Sequence, residues 1–201
     1  MGWNFYNASG ELQINDGGVQ ADSAVFTGNV DLGSNLLVGN AGSTGIAISA
    51  NGEVNMAAQP AVCAYNAALI TNVTGNSTEY TMVYATEVYD QNADFDATST
   101  FTAPVTGRYR ATARSGVTGV TTAGDYMIFT MVTSNRSHRL QWEATNNMPV
   151  ASSTWELNAL VDMDAADTLY TKIDVRGESS DVVDVMGGST LDTAIYIELV
   201  A

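Results

Sequence analysis

The stretch Phe101-Thr-Ala-Pro-Val-Thr-Gly-Arg-Tyr-Arg-Ala-Thr-Ala113 decides how the rest of the chain is interpreted. Pro104 fixes its own φ at about −65° and favours an extended Ala103, while Gly107 can adopt a φ that other residues reach only with strain. We therefore expect the chain to turn here. After the turn, apolar and polar residues alternate with a period of two, as in a strand with one buried and one solvated face. The apolar positions are Tyr109, Ala111 and Ala113.

The sequence around this stretch predicts many short strands and no helix. Turn residues separate the apolar segments, and none of them has a sustained apolar stripe at helical spacing. Regularly spaced short strands are typical of a β-sandwich or a barrel. The predicted strands are Val62–Ile70, Thr81–Val88, Gly107–Ser115, Asp125–Thr133, Arg139–Ala144, Ser153–Asp162, Thr168–Val175, Val182–Val185 and Thr193–Val200.

The front of the chain, Met1–Ala58, is rich in Gly, Asn and Ser and differs from the remainder. Its short apolar alternations, such as Gly45–Ser49 before the turn Asn51-Gly52, hold too few apolar side chains for a core of their own. We predict a β-structured shaft or virion attachment segment that needs neighbouring copies, with a flexible linker as the alternative. A junction at Met56–Pro60 would lead into a head domain over Pro60–Ala201.

Three segments also carry a resemblance to a known family. Val83–Asp96 and Phe101–Tyr109 together resemble the core signature of the globular-head family of complement component 1q, and Leu157–Val175 is similar to the late strand pair of that family. The family shares its fold with tumour necrosis factor. Over about Ala64–Ala201, the resemblance implies an all-β, ten-stranded jelly-roll sandwich that forms a tight homotrimer.

The chain departs from the family pattern at two places. The family's Gly-Asp turn is Ala166-Asp167 here, and its closing aromatic motif is replaced by Ile195–Val200. In the front segment, Trp3–Ile14 followed by Gly17-Gly18 resembles the repeated shaft segments of bacteriophage tail fibres. These resemblances imply a fibre with a jelly-roll head.

Composition limits the classes of partner. The 7 basic and 22 acidic residues give a net charge of −15, so nucleic acid and anionic membranes are unsuitable partners. Only 14% of the residues are charged, and a surface of Thr, Ser, Asn and Gly suits a virion or extracellular protein. Cys63 is the only cysteine, which excludes an intrachain disulfide and makes oligomerisation the expected route to stability.

The sequence contains no recognisable catalytic constellation. His138 is the only histidine and lies in a polar segment that we interpret as a loop. The chain has no Gly-x-Ser-x-Gly motif that would supply a nucleophile for this histidine to activate. Lys172 is the only lysine, so a phosphate-binding loop is also missing. We therefore predict a protein that is not an enzyme.

One acidic segment has a spacing that calcium could use. Asp90, Asp94 and Asp96 place three carboxylates within a short loop, and oxygen ligands are those that calcium prefers. The alternative is a solvated acidic turn without a metal. No other cofactor is indicated.

The few basic residues suggest a receptor-binding loop on an otherwise acidic surface. An anionic or sugar-bearing ligand would be attracted there, with an indole available for stacking. In the alternative, that indole packs at an interface between subunits and the arginines pair with nearby acidic residues. The predicted binding residues are Arg136, His138, Arg139 and Trp142, and the residues predicted for the core or the trimer interface are Phe101, Tyr109 and Trp155.

Together these features predict a homotrimeric virion fibre, on a phage tail or head. Its head would bind a host-surface glycan or protein reversibly, and its N-terminal segment would contact capsid or tail proteins. The alternative is a capsid-decorating or cement trimer with a structural role. A depolymerase is disfavoured because the shaft is too short for a long saccharide groove.

Overall fold

The computed structural model describes residues 46–48, 51–143 and 151–200, and these residues form strands joined by turns. None of them is helical, so the predicted all-β class is confirmed for the described part of the chain. No helix within these ranges is long and apolar enough to cross a membrane. Most of the predicted shaft lies outside the described residues.

The strands follow the predicted segments closely. In chain order they are β1 Ile46–Ile48, β2 Val54–Met56, β3 Ala61–Tyr65, β4 Ile70–Thr74, β5 Glu79–Thr81, β6 Thr86–Asp90, β7 Phe101–Thr102, β8 Gly107–Val120, β9 Tyr126–Thr133, β10 Ser137–Glu143, β11 Ala151–Met163, β12 Thr168–Arg176, β13 Val183–Val185 and β14 Ala194–Leu199.

Two antiparallel sheets form the head, and the chain crosses repeatedly from one to the other. The small sheet has the order β10-β9-β12-β5, with β7 also paired to β12. The large sheet has the order β4-β13-β8-β14-β3-β6, and β11 pairs with β8 along its other edge. In the large sheet the first head strand, β3, lies beside the last, β14. This is the jelly-roll sandwich that the resemblance implies.

The two sheets contain twelve strands, whereas nine were predicted from the sequence, because two predicted strands are each interrupted and the short strand β7 was not predicted. The segment Val62–Ile70 breaks at Asn66, whose amide donates hydrogen bonds to the carbonyls of Ala68 and Met186. The segment Thr81–Val88 breaks at Tyr84, which is fully buried between β5 of the small sheet and β6 of the large sheet. A period-two pattern does not reveal such a crossing, because both halves remain apolar.

The front hairpin matches its predicted location. β1 and β2 pair antiparallel with Ile46 opposite Met56, and Gly52 in the connecting turn has a φ of 90°. That conformation is accessible to glycine without steric cost. The strand and turn predicted near residues 45–52 are therefore present in the described residues.

The core lies between the facing sides of the sheets. Phe101 and Tyr109 are both fully buried and meet edge to face, with 5.5 Å between ring centroids. From the small sheet, Phe129 and Met131 point into the same core. An edge-to-face aromatic pair of this kind contributes about 0.5–1.5 kcal/mol beyond its burial.

The corner at residues 103–107 is held differently from the sequence prediction. Gly107 does not have a positive φ, so the expectation that it needs a special conformation is wrong. Gly107 already belongs to β8, where it lies opposite Met163. The Tyr109 hydroxyl instead secures the corner by donating a 2.7 Å hydrogen bond to the carbonyl of Val105.

Candidate binding surfaces

The head has a junction end, defined as the end where the chain enters it at Ala61. Across the large sheet, Glu198 lies opposite both Ala61 and Arg110, and Leu160 lies on the other side of Arg110. Two pairs further along β8 and β11, Arg108 lies opposite Asp162. The side chains of Arg108 and Asp162 are therefore close to the chain entrance.

The predicted receptor-binding loop begins at this same end. The Arg136 guanidinium forms a 2.8 Å ion pair with the Asp162 carboxylate. The neighbouring Asn135 amide donates hydrogen bonds to the Asp162 carbonyl at 3.2 Å and to the Asp167 carboxylate at 2.9 Å. The β9–β10 turn thus folds from the small sheet onto the edge of the large one.

The four predicted binding residues do not form one surface. Residues 137–143 are strand β10 rather than a loop, so successive side chains point to opposite faces. His138 is half-buried, and its Nε2 atom has no hydrogen-bond partner among the described residues. Arg139 is exposed on the opposite face and forms no ion pair with a described residue.

Trp142 instead meets Trp155, which the sequence prediction assigned to a different role. The two ring centroids are 5.0 Å apart, and the Trp155 indole donates a 2.9 Å hydrogen bond to the Ser153 hydroxyl. These side chains lie where the edge strands β10 and β11 of the two sheets approach each other, beside half-buried Leu140 and Leu157. We call these four residues the aromatic edge. Trp142 remains 46% exposed there.

The outward side of the large sheet is the second surface with exposed apolar groups. Its middle row runs from Thr112 through Tyr196 and Cys63 to Tyr89, which is 52% exposed. Cys63 is the buried member of this row, and burial raises the pKa of its thiol. We call Thr112, Tyr196, Cys63 and Tyr89 the tyrosine row.

A third feature is a groove at the junction end. Two cavities of about 310 and 290 Å³ share Arg108 and Asp162 in their walls. We call their combined space the junction groove. The larger cavity adds Thr106, Gly107, Asn135, Met163 and Asp164, and the smaller adds Arg136, Leu160 and Val161.

The predicted calcium loop uses most of its carboxylates for its own backbone. Asp90 accepts hydrogen bonds from the amides of Asp94 and Phe95, and Asp96 accepts three from residues 98–100. One Asp94 oxygen is buried without a partner. Within the described ranges, no three His, Cys, Asp or Glu side chains are grouped so as to hold a metal. Calcium binding stays a prediction.

The pKa values of this loop shift in opposite directions. Burial, followed by repulsion from Asp90, raises the pKa of Asp94. Burial also acts to raise the pKa of Asp96, but the backbone hydrogen bonds from Thr100, Ser99 and Thr98 outweigh it and lower the pKa. The loop therefore contains one carboxylate that favours protonation and one that resists it.

The strand order and these surfaces define a jelly-roll head domain. The chain is similar to solved domains of complement 1q and of tumour-necrosis-factor-like proteins. No protein-family model and no curated protein matches the chain.

Solved structures with this fold cover about seven tenths of the chain. The globular domain of the zebrafish complement 1qA protein is 14% identical with a TM-score of 0.48, covering 71% of this chain and 98% of its own. Murine APRIL is 11% identical with a TM-score of 0.49, covering 71% and 99%. Eiger TNF from S. frugiperda is 11% identical with a TM-score of 0.48, covering 71% and 94%.

Proposed function

We propose that the protein is a homotrimeric virion fibre, located on the tail or the capsid of a phage. Its head domain attaches reversibly to a host-surface glycan or protein. The observation that carries this proposal is that one protomer exposes two separate apolar surfaces, the aromatic edge and the tyrosine row. Exposed apolar patches on a stable domain usually mark interaction sites. Two different patches that contact each other head to tail generate a ring when the rotation between copies closes, and a trimer closes at 120°.

The energetics favour burial of these surfaces between copies. An antiparallel sheet with one face in the core normally presents polar residues on the other, which the tyrosine row does not. An aromatic side chain buries about 150–250 Å² at an interface, and each Å² of apolar surface contributes about 25 cal/mol. Trp142, Trp155 and Tyr89 would thus supply several kcal/mol at each interface.

Charge does not oppose this assembly locally. Three chains at −15 each carry −45, but the arginines around the tyrosine row are paired with acids. Arg110 lies 2.9 Å from Glu198 and Arg114 lies 3.8 Å from Glu156. These ion pairs limit repulsion where the chains would meet, although each is exposed and contributes little energy by itself.

The native mass of the full chain tests the trimer. Wild-type protein should have three times the chain mass at micromolar concentration, and Trp155→Glu should shift it towards the monomer because a charge would be buried at the interface. Leu69→Glu is the matched control, since Leu69 is exposed but belongs to neither surface. A compact wild-type monomer would overturn the proposal.

Attachment is tested separately on host cells. The assembled protein should bind cells saturably and release no sugar from host polysaccharide, since we propose adhesion without bond cleavage. The second candidate is a cement trimer, favoured by the clamp that fixes residues 56–58 to the head through Gln91 and Asn92. Deleting Met1–Ala58 should leave cell binding intact for an attachment head, whereas a cement protein would lose its particle.

A further inference from the structure

We infer that the junction groove binds a saccharide that carries a carboxylate, such as a uronic acid, with Arg108 as the partner of that carboxylate. The biological meaning of this site rests on the proposed attachment function, but its chemistry follows from the groove itself. Arg108 and Asp162 lie opposite each other on β8 and β11, and both cavities of the groove open beside them.

The distribution of partners leaves Arg108 available. Asp162 is already paired with Arg136 at 2.8 Å, and Asp167 accepts hydrogen bonds from the Asn135 side chain and the Asp164 amide. The Arg108 side chain is exposed, and its guanidinium forms neither an ion pair nor a hydrogen bond with any described residue. A guanidinium presents five N–H donors in a planar fork that matches a carboxylate.

The remaining walls favour a sugar over a simple anion. Among described residues, the Asp164 carboxylate accepts only a 3.4 Å hydrogen bond from the Thr106 hydroxyl, so it can accept hydrogen bonds from ligand hydroxyls. The Asn135 side-chain oxygen is a further acceptor, because only its nitrogen is engaged. A ligand must then offer one acid and several hydroxyl donors, which a uronic acid does and inorganic phosphate does not.

Size and shape agree with one or two sugar rings. Each cavity is near the lower end of the roughly 300–1,000 Å³ range of small-molecule sites. Leu160 is 59% exposed in the wall of the smaller cavity, where the apolar face of a sugar ring can pack. The groove therefore combines an unpaired cation, free acceptors and an apolar wall.

The test is calorimetric titration of the full assembled chain with a trisaccharide of glucuronic acid and with a neutral glucose trisaccharide. We expect the acidic sugar to bind at least tenfold more tightly, and its affinity to fall as sodium chloride rises from about 50 to 300 mM because exposed charge pairs are screened. Arg108→Gln should lower the affinity for the acidic sugar about tenfold or more, since a charge-assisted bidentate contact is lost.

Lys172→Gln is the matched control, because it also removes one positive charge, but Lys172 lies on β12 outside the groove and pairs with Glu79 at 2.7 Å. Its affinity should equal that of the wild type. Equal binding of the two sugars, equal loss in both variants, or no binding of either sugar by the wild type would each overturn the inference.

Cell binding separates this inference from the proposed function. If the wild type and Arg108→Gln bind host cells equally well, attachment stands and the acidic-sugar site is not its basis. If the wild type binds the acidic trisaccharide but no host cells, the groove assignment stands and the attachment proposal fails.

Discussion

At the scale of single residues, the loop between β6 and β7 contains two aspartates whose charged forms have opposite effects on stability. The Asp96 carboxylate accepts three hydrogen bonds from backbone amides, which stabilise its charged form. Asp94, two residues earlier, keeps one buried oxygen without a partner and faces the charge of Asp90. A carboxylate that accepts several amides stabilises a turn, whereas an unpaired buried one weakens it.

We expect Asp94→Asn and Asp96→Asn to change stability in opposite directions at pH 7. The folded-state pKa of Asp96 is lowered, so its contribution is complete above the unfolded pKa of about 3.9 and is lost as the pH falls through the folded value. The folded-state pKa of Asp94 is raised, so its carboxylate is destabilising above that value.

Thermal unfolding between pH 2.5 and 7 measures both effects. Asp94→Asn should raise the melting temperature at pH 7 and Asp96→Asn should lower it. Both differences should shrink as the pH falls, and that of Asp96→Asn should persist to lower pH because the pKa of Asp96 is lowered in the folded state. The same sign for both variants at pH 7 would contradict this account.

Ala166 carries the backbone strain of the turn between β11 and β12. Its φ is 74°, although its amide keeps a 2.8 Å hydrogen bond to Ala103 of the deciding stretch. A non-glycine residue with a left-handed φ destabilises the folded state by about 1–2 kcal/mol. Glycine avoids this strain but lowers stability by about 0.5–1 kcal/mol, because it gives the unfolded chain more conformational freedom. Ala166 stands where the resembled family has glycine, and it keeps the positive φ that glycine would adopt.

Ala166→Gly should therefore stabilise the protein by about 0.5 kcal/mol and raise the melting temperature by about 1–2 °C. Ala165→Gly is the control, since Ala165 has no positive φ and glycine there only adds unfolded-state entropy. A melting temperature unchanged or lowered in Ala166→Gly would mean that the turn relaxes its strain in solution.

At the scale of elements, the junction before β3 is fastened to the head rather than free. Gln91 donates hydrogen bonds to the carbonyls of Met56 and Ala57, and Asn92 donates one to Ala58. Gln59 donates a 2.8 Å hydrogen bond to the carbonyl of Leu199 at the end of β14. Pro60 ends the segment with a residue that has no amide hydrogen to satisfy.

The double variant Gln91→Ala and Asn92→Ala should release this junction. Each lost hydrogen bond is worth about 0.5–1 kcal/mol at an exposed site, so local opening should increase roughly tenfold. Limited proteolysis followed by mass spectrometry should show faster cleavage near residues 56–60. Gln141→Ala, which removes an exposed amide from β10, should leave the cleavage rate unchanged, and equal rates in all proteins would disprove the clamp.

The elements themselves were largely predictable because alternation is a local property. Strands β8, β9, β12 and β14 begin and end within a few residues of their predicted bounds, except that β8 continues to Val120. The breaks at Asn66 and Tyr84 were missed because they depend on partners distant in sequence, such as Met186.

The binding surfaces were less predictable, for the same physical reason. Arg136 was identified from its charge, but its meeting with Asp162 and Arg108 depends on how β9, β11 and β8 are arranged in space. Trp142 and Trp155 were assigned separate roles and are in contact. A lone arginine on a polar strand face, such as Arg108, gives no sequence signal that distinguishes it from Arg110.

At the scale of the whole molecule, the aromatic edge links stability to assembly. A protomer that leaves Trp142 about half exposed, with Leu140 and Leu157 only partly covered, gains hydrophobic stabilisation when another copy covers them. With a single cysteine, the chain cannot compensate through an intrachain disulfide. Folding and association of this chain should therefore be coupled.

The last prediction is that urea unfolding depends on protein concentration. When a folded trimer converts directly into three unfolded chains, each tenfold increase in concentration stabilises the folded state by about 0.9 kcal/mol per chain, two thirds of RT ln 10. The unfolding midpoint should move to higher urea between about 0.5 and 50 μM chain, measured after long incubation so that equilibrium is reached. Trp155→Glu protomers should no longer associate, so whatever folded protomer remains should unfold at lower urea and at a midpoint independent of concentration. A wild-type midpoint that stays constant over this range would show that the jelly roll is stable as a single chain, and the aromatic edge would then need another partner.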